Sequence, residues 1–251
     1  LTTHGGSDSS PAWSPDGRYV AYWSDATGTE QLYIRPQAGG EATQLTHGEE
    51  VATYPYRPSW SPDSKKLLWG DKQQRLRYID VESKTITEVD RSERWEIRQA
   101  SWSPDSRYIA YTYPRWQTTS VVKIYSVEEG ERFIGTSEAY DANNPAWDPT
   151  GQYLYFASAR NFSPIYSSTE WNHAYQDMEE LFLVTLQASS PDPTRPEDDD
   201  VQVKDSETEV KKNDEAKKEK ERLRIQIDRE GLAQRTVKLK AEASNYMGLR
   251  A

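Results

Sequence analysis

The sequence has no cysteine and only two methionines and four phenylalanines among its 251 residues. The absence of cysteine excludes disulfides, thiol catalysis and cysteine-ligated metals, and it fits a reducing compartment. No run of about 18 apolar residues occurs, so no transmembrane helix is expected. Acidic residues outnumber basic ones by 41 to 31, and the net charge of −10 argues against nucleic acid or an anionic membrane as a partner.

Motifs that carry catalysis are also missing. The sequence has no Gly-x-Ser-x-Gly elbow, no glycine-rich phosphate loop and no His-Glu-x-x-His. His4 and His47 occupy the similar stretches "LTTHGG" and "LTHGEE", which favours a structural role for both. His173 lies near Glu170 and Asp177, which is a weak signal of chemistry. We therefore predict no catalytic residue, no metal site and no cofactor in this chain.

Tryptophan and tyrosine are abundant, with 9 and 16 residues, and one tryptophan signature recurs four times. The copies are "AWSPDG", "SWSPDS", "SWSPDS" and "AWDPTG", with their tryptophans at Trp13, Trp60, Trp102 and Trp147. The gaps are 47, 42 and 45 residues (60 − 13, 102 − 60 and 147 − 102). A period of this size indicates a repeat architecture. Because the tryptophans recur at equivalent positions, we expect them to pack between repeats.

Each repeat predicts four short strands. In the first unit they are "PAWS", "RYVAYWS", "QLYIRP" and "ATQLT", and a "PDG" turn joins the first two. The aspartates of the "SPD" turns, Asp16, Asp63 and Asp105, are expected to cap their turns rather than to bind metal. Four strands in about 40–45 residues are typical of a propeller blade. The fold prediction is an all-β propeller of about four consecutive four-stranded blades, forming part of a larger disc.

The fourth unit is interrupted by an excursion at Asn161–Glu179, in place of a short loop. Loops of this length in compact domains are usually functional or disordered. We predict that the excursion is ordered, lies over one face of the disc and forms a contact surface; bracing of the propeller is the equal alternative. Its candidate contact residues are Phe162, Tyr166, Trp171, His173 and Tyr175.

The sequence divides into three parts. Residues 1–186 form propeller blades, and residues 187–223 form a charged linker that is too polar to order itself. Residues 224–251 are expected to re-enter the propeller as strands. There "QRTVKL" takes the place of the fourth blade's outer strand, and "NYMGLRA" opens a further blade.

The repeats resemble the propeller of tricorn protease and its bacterial homologues, in stretches such as "PAWSPDGRYVAYWSD" and "NPAWDPTGQYLYFAS". The "WSPD" repeat alone is shared with Tol-system and prolyl-oligopeptidase-type propellers. Two further segments are more specific to the tricorn family. "EWNHAYQDMEELFLVTL" resembles its excursion, and "IDREGLAQRTVKL" followed by "NYMGLRA" resembles its re-entry after an acidic linker.

The resemblance implies a segment of the second, seven-bladed propeller of a large, cytoplasmic, oligomeric serine peptidase. In that family the propeller is thought to filter or channel peptides toward a catalytic domain, which adjoins a PDZ-like module and lies outside this chain. The expected partners are therefore peptide substrates and the catalytic and PDZ-like domains of the same protein. The alternatives are a Tol-type binding scaffold without enzymatic activity, and the propeller of a prolyl-oligopeptidase-like enzyme.

Overall fold

The computed structural model describes residues 5–48, 54–115, 119–162, 164–166, 173–175, 177–194 and 223–250. These residues form four antiparallel four-stranded sheets and one two-stranded hairpin, and they contain no α-helix. In each sheet the strands lie side by side in chain order, as in a propeller blade. The predicted all-β blade architecture is confirmed.

The strand bounds follow the predicted repeats. The first blade contains β1 (Asp8–Trp13), β2 (Tyr19–Ser24), β3 (Gln31–Pro36) and β4 (Thr43–Gln44). The second contains β5 (Ser59–Trp60), β6 (Lys66–Gly70), β7 (Arg75–Asp80) and β8 (Ile86–Arg91). The third contains β9 (Ala100–Trp102), β10 (Tyr108–Pro114), β11 (Ser120–Ser126) and β12 (Glu131–Ile134). The fourth contains β13 (Asn143–Trp147), β14 (Tyr153–Ala159), β17 (Glu179–Thr185) and β18 (Thr236–Lys238).

The hydrophobic core lies between the blades. Neighbouring residues on a strand point to opposite faces of a sheet, so each blade contributes to two clusters. On β6, for example, Leu67 packs with the first blade, whereas Leu68 packs with the third. A third cluster joins the third and fourth blades and includes Trp147 and Phe156. Stacking of blades therefore buries the aromatic and branched residues that a single sheet would leave in water.

Three of the four repeat tryptophans are buried as predicted. Trp60, Trp102 and Trp147 are only 6–7% exposed. The prediction is wrong for Trp13, which is 61% exposed. Its side chain lies on the face of the first blade that no other described sheet covers. The difference therefore reflects position in the stack rather than a change in the repeat.

The aspartates of the repeat turns cap those turns, as predicted. Asp63 accepts hydrogen bonds from the Ser61 hydroxyl and the Lys65 backbone N–H, at 2.5 and 3.1 Å. Asp16 and Asp105 make equivalent bonds in their own turns. Each of these carboxylates accepts from donors of its own turn, which explains why aspartate recurs at this position of the repeat.

Residues 224–250 pack against the fourth blade, and only part of this segment is strand. Thr236–Lys238 forms the outer strand beside β17, and Leu232–Arg235 before it is a short 3-10 helix. Arg224–Asp228, expected to be a strand, is held instead by individual bonds, including Ile225 N–H to the Asp105 carboxylate at 2.8 Å. Residues 245–250 contain no strand, and the expectation that they open a further blade stays a prediction.

Candidate functional site

The excursion and the charged linker leave the fourth blade from opposite faces of the disc. The excursion joins the end of β14 to the start of β17, whereas the linker joins the end of β17 to β18. Because β14 and β17 are antiparallel, these two connections lie at opposite ends of the strands. The face that carries the excursion also carries the β2–β3 and β6–β7 loops of the other blades. We call it the excursion face.

The excursion is closed at its base and contains a hairpin. Asn161 donates its backbone N–H to Met178 O and its side-chain amide to Asp177 O, at 3.0 and 2.8 Å. Beyond this closure, β15 (Pro164–Tyr166) pairs with β16 (His173–Tyr175) in antiparallel register. The described part of the excursion therefore consists of a closed base and a two-stranded hairpin.

The five predicted contact residues fall in different parts of the excursion. Phe162 stands at its base with 71% of its surface exposed. Tyr166 and His173 are paired across the hairpin backbone, and Tyr175 is paired with Pro164. Trp171 lies outside the described residues. The backbone register thus brings three of the five together in one hairpin.

Beside the excursion, Arg160 is held between two aromatic rings. Its guanidinium carbon lies 4.3 Å from the centre of the Tyr140 ring and 4.0 Å from that of Phe182. Its Nε donates to the Ser158 hydroxyl at 3.0 Å. Burial lowers the pKa of Arg160 from its usual value, and cation–π contact with both rings offsets part of the lost hydration. The charge is therefore fixed in place at the root of the excursion.

The segment around Tyr246 is fixed against the same root. Glu179, the first residue of β17, accepts hydrogen bonds from Tyr246 N–H at 2.7 Å and from the Asn143 amide at 2.9 Å. The Asn144 amide donates to Tyr246 O at 3.2 Å, and its backbone has a positive φ of 53°. Met247 projects from this anchored segment with 89% of its surface exposed.

Several exposed apolar side chains lie on the excursion face. Tyr140, which packs against Arg160, is 49% exposed, and Phe162 and Met247, on the same face of the fourth blade, are 71% and 89% exposed. Apolar anchors bordered by polar groups are typical of binding surfaces. In the described part of the chain, no group of three or more His, Asp or Glu residues could hold a metal ion.

Sequence reasoning missed two buried charge clusters. Asp71 is fully buried and is bonded to the guanidinium groups of Arg75 and Arg77, at 2.7 and 2.9 Å. Asp90 on β8 accepts from the Tyr111 hydroxyl and from Lys123 of the third blade, at 2.8 and 3.0 Å. In the sequence these residues look like ordinary polar positions of strands and turns, and only the stacking of blades shows that they are buried.

Comparison with known proteins places the chain in a family. Residues 2–251 match the family model described as the tricorn protease second beta propeller domain, and the chain belongs to that family. Among the described residues, none of the helical segments is long and apolar enough for a membrane crossing.

Individual relatives agree with this assignment. The chain is 29% identical to "Tricorn protease homolog 1" of Streptomyces coelicolor over 241 residues, which cover 94% of this chain and 22% of that protein. It is 30% identical to "Tricorn protease homolog" of Saccharolobus solfataricus over 126 residues, which cover 50% of this chain and 12% of that protein. The chain thus spans less than a quarter of the relatives that it matches.

A solved structure shares the fold. The crystal structure of the tricorn protease superimposes with a TM-score of 0.73 over 92% of this chain and 21% of that chain, at 18% sequence identity. The family therefore supports the tricorn-type propeller over the Tol-type scaffold and the prolyl-oligopeptidase-type propeller.

Proposed function

We propose that this propeller is a non-catalytic part of a tricorn-like serine peptidase, and that it gates or channels peptides toward a catalytic domain outside this chain. The observation that carries the proposal is the group of residues at the base of the excursion, on one face of the disc. We call this group, which includes Tyr140, Arg160, Phe162 and Met247, the excursion root. Phe162, Tyr140 and Met247 are exposed on this face, where Arg160 is also fixed by contacts with the rings of Tyr140 and Phe182. Membership of the tricorn second-propeller family supports peptides as the molecules that meet this face.

The proposal also identifies what the excursion face of this propeller contacts. The excursion face contacts peptide substrates or the catalytic and PDZ-like domains of the same protein, within a cytoplasmic homo-oligomer. The fixed Arg160 charge suits carboxylate groups of a peptide or of a neighbouring domain, because guanidinium pairs well with carboxylates. The exposed rings and Met247 suit apolar peptide side chains.

The test uses the full-length protein that contains this propeller. Residues 163–176 are replaced by a short glycine turn, which the bond between Asn161 and Met178 would still close. We expect the kcat/KM for long peptides to change relative to that for short ones, while hydrolysis of short peptides persists. The matched control removes residues 195–222, which belong to the connection at the other end of β17, and should leave the length preference unchanged.

Two results would count against the proposal. If hydrolysis persists with the same length preference after the excursion is replaced, the excursion takes no part in peptide access. If the full-length protein hydrolyses no peptide at all, and no downstream serine is required for any activity, the peptidase assignment itself fails.

A further inference from the structure

We propose that a pocket between the first and second blades binds a primary ammonium group of a peptide. The pocket has a volume of about 340 Å³, near the lower end of the range of small-ligand pockets. Its walls include Asp25, Glu30, Trp23, Trp69 and Tyr54. It opens near the β2–β3 loop and the β4–β5 connection, and so lies on the excursion face but away from the excursion root.

One wall of the pocket is acidic, and one of its carboxylates lacks a partner. The Asp25 carboxylate accepts a hydrogen bond from Ser7 N–H at 2.6 Å. Glu30 is half-buried, and none of the described residues donates a hydrogen bond to its carboxylate or forms an ion pair with it. Burial and the neighbouring charge of Asp25 raise the pKa of Glu30. A cation beside Glu30 would relieve both effects.

The opposite wall is aromatic and contains a second group without a partner. Trp23 and Trp69 meet edge to face with ring centres 5.7 Å apart, and each is only 3% exposed. The Trp23 indole N–H donates to Tyr56 O at 3.0 Å. The Trp69 ring is almost fully buried, but its indole N–H is not among the buried atoms that lack a partner, and no described residue accepts from it, so this edge of the ring reaches the space of the pocket. A donor that reaches the pocket can exchange water for an oxygen acceptor of the ligand.

Three other polar residues of the pocket, Gln31, Thr46 and Arg77, already have partners. Thr46 donates its hydroxyl to the Gln31 side chain and accepts from Leu32 N–H, both at 2.8 Å. Arg77 is bonded to Asp71, and its guanidinium carbon lies 5.1 Å from the centre of the Trp69 ring. Glu30 and the indole N–H of Trp69 therefore remain as groups that a ligand can contact.

A peptide N-terminus carries both complementary groups, an ammonium for Glu30 and a nearby carbonyl oxygen for Trp69. A lysine side chain brings the same ammonium on an apolar stem without the carbonyl. Aromatic walls favour either cation, since ring faces attract ammonium groups. The inference rests on the proposed function only in taking peptides as the source of the ammonium group.

The experiment measures binding by calorimetry, so it requires no turnover and stands even if the gating proposal fails. The full-length protein is titrated with triglycine amide, with N-acetyl-triglycine amide and with Nα-acetyl-lysine amide. Triglycine amide is expected to bind, and its acetylated form is expected not to bind. Binding of acetyl-lysine amide in preference to triglycine amide would assign the site to lysine side chains. Equal binding of the free and acetylated triglycine amides would overturn the proposal.

Matched variants locate the site. Glu30→Gln should weaken the binding of triglycine amide by about tenfold or more, because a charge-assisted bond is lost. Glu82→Gln removes the same charge at an exposed turn and should have no effect. Trp69→Phe should weaken the binding of triglycine amide but not that of acetyl-lysine amide, and its thermal unfolding is compared with that of the unchanged protein. Unchanged affinity in Glu30→Gln would also overturn the proposal.

Discussion

The indole N–H of Trp60 donates a hydrogen bond to the backbone carbonyl of Ala12 in the preceding blade, at 3.0 Å. The relationship repeats along the stack. Trp102 donates to Ser59 O at 3.2 Å, and Trp147 donates to Ser101 O at 3.1 Å. The acceptor is each time the residue before the previous repeat's tryptophan. The recurring tryptophan thus sets both the spacing and the register between neighbouring blades.

The contribution of this tryptophan hydrogen bond to stability can be tested by comparing a buried repeat tryptophan with the exposed one. Trp60→Phe removes the indole donor to Ala12 O and opens space in the core. We expect it to lower the free energy of unfolding by about 2 kcal/mol. Trp13→Phe changes the same residue type at an exposed position and should cost within about 0.5 kcal/mol. Urea unfolding measures both, and equal losses would contradict the assigned role of the tryptophan bond.

The buried carboxylate of Asp90 should contribute strongly to the contact between the second and third blades. Asp90→Asn leaves Lys123 with a neutral partner and should destabilise the protein by about 3 kcal/mol. On the same strand, Glu88 pairs with Arg91 at an exposed position, so Glu88→Gln should change stability by less than about 1 kcal/mol. Thermal unfolding compares the two variants. A mild effect of Asp90→Asn would show that the cluster is not needed for blade packing.

Gly151 should tolerate no side chain, although serine occupies the equivalent turn position in two other blades. Ser64 and Ser106 have positive φ values of 60° and 62°, close to the 72° of Gly151. A Cβ at Gly151 would lie only 2.6 Å from the Ile225 side chain, whereas a Cβ at Gly17 meets nothing within 4 Å. Gly151→Ser should therefore cost about 1–3 kcal/mol more than Gly17→Ser. Similar unfolding midpoints for the Gly151→Ser and Gly17→Ser variants would show that the Ile225 side chain does not lie against Gly151.

The stability of the protein should fall in acid partly through Glu96. Its own backbone N–H, followed by the ammonium of Lys72 at 3.0 Å, lowers the pKa of Glu96 from 4.5 to about 2. A depressed pKa in the folded state stabilises the fold above about pH 4.5, and this contribution is lost as the pH falls toward 2. Glu96→Gln should flatten the stability profile over this window, relative to the charge-matched Glu82→Gln. If stability depends on pH in the same way in Glu96→Gln and Glu82→Gln, Glu96 makes no contribution to the loss of stability in acid.

The effect of Glu30 on the pH dependence of stability should be opposite to that of Glu96. Because burial and then Asp25 raise its pKa in the folded state, the folded protein binds a proton more readily there than the unfolded chain does. Its ionisation therefore lowers stability as the pH rises above its ordinary value of 4.5. Glu30→Gln is expected to be slightly more stable than the unchanged protein at pH 7, as measured by thermal unfolding. A loss of stability would show that Glu30 has a structural partner.

The sequence by itself determined the repeat, the strands and their turns. The signature around Trp13, Trp60, Trp102 and Trp147 predicts four blades because its period and its alternation are local properties of the chain. The caps at Asp16, Asp63 and Asp105 follow for the same reason, since a turn aspartate bonds to donors within a few residues. The outer strand at Thr236–Lys238 was also predictable, because its pattern repeats that of the earlier blades.

Only the tertiary structure decided which of these equivalent residues are buried and which groups meet. Trp13 has the same local signature as Trp60 but is exposed, since burial depends on a neighbouring sheet rather than on the repeat. Asp90 and Lys123 are 33 residues apart and become partners only when two blades stack. The same holds for Glu30 and Trp69, which belong to different blades and line one pocket. Contacts between repeats depend on how sheets pack, and the periodicity of a sequence does not encode them directly.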